Sequence, residues 1–283
     1  MNLSSSLLGA LLALTSAAIF GGGDYAGGRA AHRSNQYQAL TLAALSGLVL
    51  LILAALLWRE RFPAGMSILW AVLSGLAGAL GLAALYRGLA IGSAALVAPV
   101  SAVISAALPV IFDALHTGLP TPGRLAGFAL ALGGIWLVSS TPDSAPTAGP
   151  RRALFHAVLA GVGFGWFFIF LGLIERGIVF TPLVIARSCT LLVGILLLKS
   201  NRLPIPGPFS NPLALLAGLL DATGNLLYVL ARQFTRLDVA AVLSSLYPAS
   251  TVLLSAWLLH QKVAPRQGLG LILCLAAIAL IVG

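Results

Sequence analysis

The chain has 283 residues, of which 59% are hydrophobic and only 8% charged, with a mean hydropathy of +1.03. That composition excludes an ordinary soluble domain and leaves a protein built for lipid. The net charge of +9 does not indicate a nucleic-acid partner, because the basic residues stand singly or in pairs in connectors, where they serve as interfacial anchors.

Ten apolar runs are long enough to cross the roughly 30 Å of hydrocarbon in a bilayer. They cover 5–22, 37–57, 67–86, 94–112, 123–140, 153–173, 182–198, 211–231, 239–258 and 266–282. Rich in Leu and Ala and lacking two-residue alternation, they predict helices rather than barrel strands. The first run has no small-residue cleavage site followed by a soluble chain, so it is read as a mature span. A Pro/Ser-rich stretch around Ser139 to Pro150 divides the chain into a first unit over 1–140, a connector over 141–152 and a second unit over 153–283. The expected fold class is an all-α polytopic membrane protein whose ten transmembrane helices form two inverted five-helix repeats.

In chain order, the first span ends in Phe20-Gly-Gly-Gly-Asp24-Tyr25, a glycine-rich segment able to present backbone dipoles to a substrate. No Lys-Ser/Thr follows to complete a phosphate-cradling loop. The third span carries Gly75, Gly78 and Gly81, which allow close helix approach, and Tyr86 near its end. The fourth carries Pro99, Ser101, Ser105 and Pro109, and the ninth Ser244, Ser245, Tyr247 and Pro248. Their prolines free backbone carbonyls within the membrane, so Pro99 and Pro248 are either hinges or ordinary kinks. In the sixth span Phe164-Gly-Trp166-Phe167-Phe168-Ile-Phe170 puts aromatic bulk near mid-depth, with Trp166 as the candidate cavity wall. Trp58, Trp70 and Trp257 are expected in the interfacial belts. Arg187, early in the seventh span, is either a snorkelling anchor or a counter-ion for an anionic group. Cys189 and Cys274 lie in separate runs and form neither a metal motif nor an evident disulfide.

The eighth span holds the most informative residue. Asp221 stands near its middle, where an ionisable group costs a few kcal/mol and is retained for use. Asp221, Asn225, Tyr228 and Arg232 follow i, i+4, i+7, i+11 spacing and share one helical stripe, which should face the protein interior or a water-filled cavity. A hydrogen-bond network that merely fastens helices is the alternative. Burial should keep Asp221 neutral unless Arg187 or Arg232 approaches it, in which case the charge persists as a buried pair.

Displacing the sequence by 143 residues aligns Ala71 to Val138 on the second half without a gap. Gly75 meets Gly218, Gly81 meets Gly224, Ser101 meets Ser244, Pro122 meets Pro265 and Gly127 meets Gly270, while Gly78 meets Asp221 and Leu82 meets Asn225. Units with an odd number of spans enter the membrane in opposite senses, the inverted-repeat arrangement of secondary transporters.

The segments Ala94-Ala-Leu-Val-Ala-Pro-Val-Ser-Ala102 and Ala240-Ala-Val-Leu-Ser-Ser-Leu-Tyr-Pro248, each followed by an apolar run and then by Pro122-Gly-Arg-Leu-Ala-Gly127 or Pro265-Arg-Gln-Gly-Leu-Gly270, resemble EamA-type members of the drug/metabolite transporter superfamily. The resemblance implies ten helices around a central cavity lined by helices 1, 3, 4, 6, 8 and 9, and an export role for small metabolites such as amino acids. The chain departs from the family at Phe20-Gly21, where a Trp-Gly pair is common, and at His116 and Thr117, where a Glu is common. About 6 basic residues fall in connectors on the side of the termini and about 9 on the other, which favours external termini, whereas the resemblance implies cytoplasmic ones. The second expectation is adopted.

The expected function is therefore a secondary transporter in the cell membrane, the inner membrane if the source is bacterial, working by alternating access as a monomer or homodimer. Its partners are a small-molecule metabolite, lipid and protons as coupling ion, with no cofactor, metal or nucleic acid. The binding candidates are Phe20, Asp24, Tyr86, Ser101, Trp166 and Arg187 from the first seven spans. Asp221, Asn225, Tyr228, Ser244 and Tyr247 complete them. A membrane enzyme or scaffold is the alternative. Against it stand the lack of a His cluster at metal spacing, of a Ser nucleophile with a base, and of a soluble headpiece.

Overall fold

A computed structural model describes residues 3–91, 94–139, 150–259 and 263–282. The described residues form eleven helices and no strand: α1 (Leu3–Arg33), α2 (Gln36–Trp58), α3 (Met66–Ile91), α4 (Ala94–Thr117), α5 (Pro122–Ser139), α6 (Pro150–Gly172), α7 (Phe180–Ser200), α8 (Pro212–Phe234), α9 (Leu237–Ser244), α10 (Tyr247–Leu259) and α11 (Pro265–Val282). Ten segments are long and apolar enough to cross a membrane, with α9 and α10 together making the ninth. The protein is an all-helical polytopic membrane protein. Residues 140–149, which include most of the expected connector over 141–152, lie outside the described residues, as does the side chain of Tyr86.

Local chemistry sets the helix ends. Asn35 accepts from Tyr37 N–H at 2.9 Å and Gln38 returns a bond to Asn35 N–H, a reciprocal cap on α2. Asn211 caps α8 ahead of Pro212, while its Nδ2 donates to the Ala30 carbonyl at 2.9 Å and to Ser34 at 3.0 Å, tying the start of α8 to the end of α1. The ninth span breaks at Ser245–Leu246 because Pro248 has no N–H for the Ser244 carbonyl. Pro99 and Pro109, by contrast, sit within an uninterrupted α4.

Large apolar side chains such as Leu57, Leu80, Leu192 and Leu275 point outward, as lipid requires. Trp58 and Trp257 are exposed near helix ends, in keeping with an interfacial belt, whereas Trp70 is half-buried and stacks on Phe170 at 5.7 Å.

The principal packing partners are α1 with α8, α3 with α6, α5 with α11, α4 with α6, α2 with α7 and α8, and α3 with α7. Lipid gives no hydrophobic drive between helices, so small residues set these approaches. A Cβ at Gly218 on α8 would strike the Ala43 carbonyl of α2, and one at Gly75 on α3 would strike the Ala186 carbonyl of α7. Both members of one contact stand 143 residues from both members of the other. The contact between α5 and α11 repeats this relation, with a Cβ at Gly127 3.2 Å from the Ala277 carbonyl and one at Gly270 2.9 Å from the Gly134 carbonyl.

Candidate functional site

A cavity of about 310 Å³ opens within the bundle, large enough for a small metabolite. Its walls come from α1, α2, α3, α4, α6, α7, α8 and α10. Lining residues run from mid-depth to Ala30, Ala39 and Ala214, within a turn of the end of α1 and the starts of α2 and α8, and in the other direction to Leu183, within a turn of the start of α7, and to Phe168 near the end of α6.

The polar wall is built on α8. Asp221 forms an ion pair with Nη2 of Arg187 on α7. The arginine side chain is only 11% exposed while that of Asp221 is 43% exposed, so the guanidinium sits behind the carboxylate, which reaches the cavity. Arg187 is thus a counter-ion rather than a snorkelling anchor. Asn225 Nδ2 donates to Asp221 Oδ2 at 3.1 Å and to the Asp221 carbonyl at 2.9 Å. Since both partners are acceptors, these bonds fix the amide orientation, and Asn225 Oδ1 is left buried without a partner. Asp24 on α1 also lines the cavity and makes no hydrogen bond or ion pair among the described residues. Gly23 of α1 packs beside Asp221, where a Cβ would lie in ordinary contact 3.5 Å from Asp221 N.

The facing wall is aromatic. Phe164, Phe167 and Phe168 of α6 line the cavity, and Phe20 bridges Phe168 at 6.5 Å and Tyr247 at 6.3 Å between ring centroids. Gly78 leaves space for Phe167, whose ring would stand 2.9 Å from a Cβ at that position.

Of the expected binding residues, Phe20, Asp24, Arg187, Asp221, Asn225 and Tyr247 line this cavity. Four others do not. Trp166 is exposed on the outer face of α6, stacked on Phe170 at 5.1 Å, because the side chains at i, i+3 and i+4 (Phe164, Phe167, Phe168) take the inner face. Tyr228 is fully buried and donates to the Phe168 carbonyl at 2.7 Å. It shares the Asp221 stripe but sits about 10 Å farther along the helix, beyond the cavity floor. Ser101 turns back to the Ala98 carbonyl at 3.0 Å, and Ser244 donates to the Ala13 carbonyl at 3.3 Å, fastening α9 to α1. Arg232, the last member of the stripe, donates to the Thr235 carbonyl beside a separate pocket. Ser105 does line the cavity, although its hydroxyl is bonded to the Ala102 carbonyl.

Beyond the floor, polar contacts tie the helix ends together. Glu60 accepts from Val179 N–H and Thr181 N–H, each at 2.7 Å, capping α7 from the connector between α2 and α3. Arg61 pairs with Glu175 at 3.0 Å. Arg236 lies between buried Asp113 at 3.3 Å and buried Asp238 at 3.1 Å and also donates to the Gly118 carbonyl. Its hydrogen bonds to Asp238 push the guanidinium pKa above its ordinary value in spite of partial burial.

Ten membrane-spanning helices around an internal cavity, with a charged pair held at mid-depth, define the architecture of a membrane transporter. Residues 151–283 match the model of the EamA-like transporter family. A solved structure described as "Crystal structure of protein" has the same fold, with a TM-score of 0.75 and 16% identity over 99% of this chain and 96% of that one. A search of curated proteins finds no match.

Proposed function

We propose that the protein is a secondary carrier that exports a small amphipathic metabolite of amino-acid size by alternating access. The observation that supports this best is the cavity itself. One wall is polar and the other aromatic, a composition suited to an amphipathic ligand. The Glu60, Arg61–Glu175 and Asp113–Arg236–Asp238 contacts would act as the gate beyond the cavity floor, to be broken when the carrier reverses.

The glycine contacts repeated at a spacing of 143 residues support an inverted pair of five-helix units, 1–140 and 153–283, that rock about the cavity. Pro99 and the break before Pro248 would supply the hinges. The Arg187–Asp221 pair offers protons a place to couple, since protonating the carboxylate would release the guanidinium. Both termini are assigned to the cytoplasm, in a cell or bacterial inner membrane, with the carrier a monomer or homodimer.

Counterflow of labelled metabolites in proteoliposomes tests the carrier reading, and saturable exchange is expected. Turnover of a lipid without exchange would indicate an enzyme instead. For orientation, a reporter fused after Gly283 should be active in the cytoplasm. Activity only outside would support the arginine count.

A further inference from the structure

The main cavity and the second pocket follow one another along the same two helices. On α8 the cavity ends at Asn225 and the pocket begins at Val229 and Arg232, while on α6 the cavity ends at Phe168 and the pocket begins at Leu171 and Gly172. These spacings are helical, so each helix turns one continuous face from the first space to the second. From Asn225 to Arg232 is roughly 10 Å along the axis, about two turns. The pocket beyond holds about 250 Å³. Since α6 and α8 scarcely meet backbone to backbone, side chains close the space between them.

Tyr228 fills that space. Its ring is fully buried and meets Phe168 edge-on at 4.9 Å, and its hydroxyl donates to the Phe168 carbonyl at 2.7 Å. Gly172 makes room for it, since a Cβ there would stand 3.3 Å from the hydroxyl oxygen. Closure has a cost on both sides. Asn225 Oδ1, one turn before Tyr228, and Arg232 Nε, one turn after it, are both buried without a hydrogen-bond partner. A buried polar atom left unpaired costs at least as much as one ordinary hydrogen bond returns. Water entering between the two spaces would satisfy both atoms, so ring packing and a single hydrogen bond hold the closed arrangement against two unmet polar groups. That is the balance of a seal able to open.

We propose that Tyr228 is the valve on the translocation path, sealing the main cavity from the second pocket, which becomes the vestibule when the carrier reverses. This rests on the carrier reading and deepens it, because it places the seal on one side chain, inside the Glu60 and Arg61–Glu175 contacts at the helix ends. Glu175 itself lines the second pocket, so breaking its pair with Arg61 would open from outside the space that Tyr228 closes from within.

Single-cysteine labelling tests the valve without knowledge of the substrate. In the full-length protein carrying Cys189→Ala and Cys274→Ala, Thr190→Cys puts a near-isosteric thiol on the main cavity wall. A membrane-impermeant methanethiosulfonate is applied from either side, to whole expressing cells and to inverted vesicles. With ten spans, both termini share one side of the membrane, and α6 and α8 end on that side. Labelling from there should be about fivefold or more faster when Tyr228→Ala is added, because the plug is gone. Tyr228→Phe, which keeps the ring and loses only the bond to the Phe168 carbonyl, should give about threefold or more. Labelling from the opposite side should be unchanged, whereas a residue that merely holds the fold would raise both rates together when removed.

A smaller rise than these, or an equal rise from both sides, overturns the proposal. If Tyr228→Ala does not fold, Tyr228→Phe decides alone by the same criterion. Counterflow is scored separately. If labelling responds as expected but the parent exchanges no metabolite, the carrier fails and the seal stands. If the parent exchanges and labelling does not respond, the carrier stands and Tyr228 is not its valve.

Discussion

At equivalent places in the two halves, the same close approach carries opposite chemistry. Gly78 on α3 receives the Phe167 ring of α6, and 143 residues from each of them the facing positions are Asp221 on α8 and Asp24 on α1. Likewise Leu82 corresponds to Asn225, and Ala44 to Arg187. The helix scaffold tolerates this divergence because its own contacts, such as Gly75 with Ala186 and Gly218 with Ala43, involve small residues and backbone rather than cavity side chains. The lesson is that packing recurs where backbones touch, and chemistry is free to differ where they part around a cavity.

Breaking the charged side of this comparison should have the largest effect. Asp221→Asn leaves Arg187 without its counter-charge and should abolish transport while lowering stability by about 1–3 kcal/mol, less than for a fully buried pair because the carboxylate reaches the cavity. Adding Arg187→Leu should recover most of that stability without restoring transport, a coupling measurable by thermal unfolding of the two single variants and the double one.

The scaffold side comes next. Gly218→Ala places a methyl against the Ala43 carbonyl and should destabilise by about 1–3 kcal/mol. Gly28→Ala, on the same fold but with nothing within 4 Å, should be neutral or stabilise by about 0.5–1 kcal/mol. If thermal unfolding gives equal effects at both sites, close approach is not what Gly218 supplies.

On the aromatic side, Phe167→Ala enlarges the cavity and should shift relative counterflow rates toward bulkier substrates by roughly tenfold. The smallest effect is expected at Trp166→Ala, which removes an outward ring stacked on Phe170 and should leave substrate selectivity unchanged. A selectivity change as large as that of Phe167→Ala would place Trp166 in the cavity and reverse this assignment.

The contrast between Phe167 and Trp166 marks where sequence reading reaches its limit. The aromatic run was visible, and so was a usable signal, since 164, 167 and 168 follow the spacing of one helical face while 166 and 170 follow that of another. Choosing the largest ring instead of the periodic set selected the outer face. The stripe from Asp221 to Arg232 shows the complementary limit. Its direction was correct, but direction says nothing about depth, and only Asp221 and Asn225 fall beside the cavity while Tyr228 and Arg232 lie past its floor. No local pattern foretold that Glu60 would cap α7, because that contact joins residues about 120 apart.

The sequence by itself determined that this protein is a membrane bundle of ten spans, because hydrocarbon forces every apolar run of sufficient length into a helix. It also determined that Asp221 would need a reason to be where it is. Which partner supplied that reason was decided only by tertiary structure. Arg187 and Arg232 were equally available along the chain, and the packing of α2 against both α7 and α8 brought Arg187 over Gly47 to the carboxylate, a Cβ at Gly47 lying 3.2 Å from the arginine Nε and 2.9 Å from the Gly218 carbonyl. Periodicity fixes the face a side chain takes on its own helix, but the depth and rotation of neighbouring helices fix what that face meets.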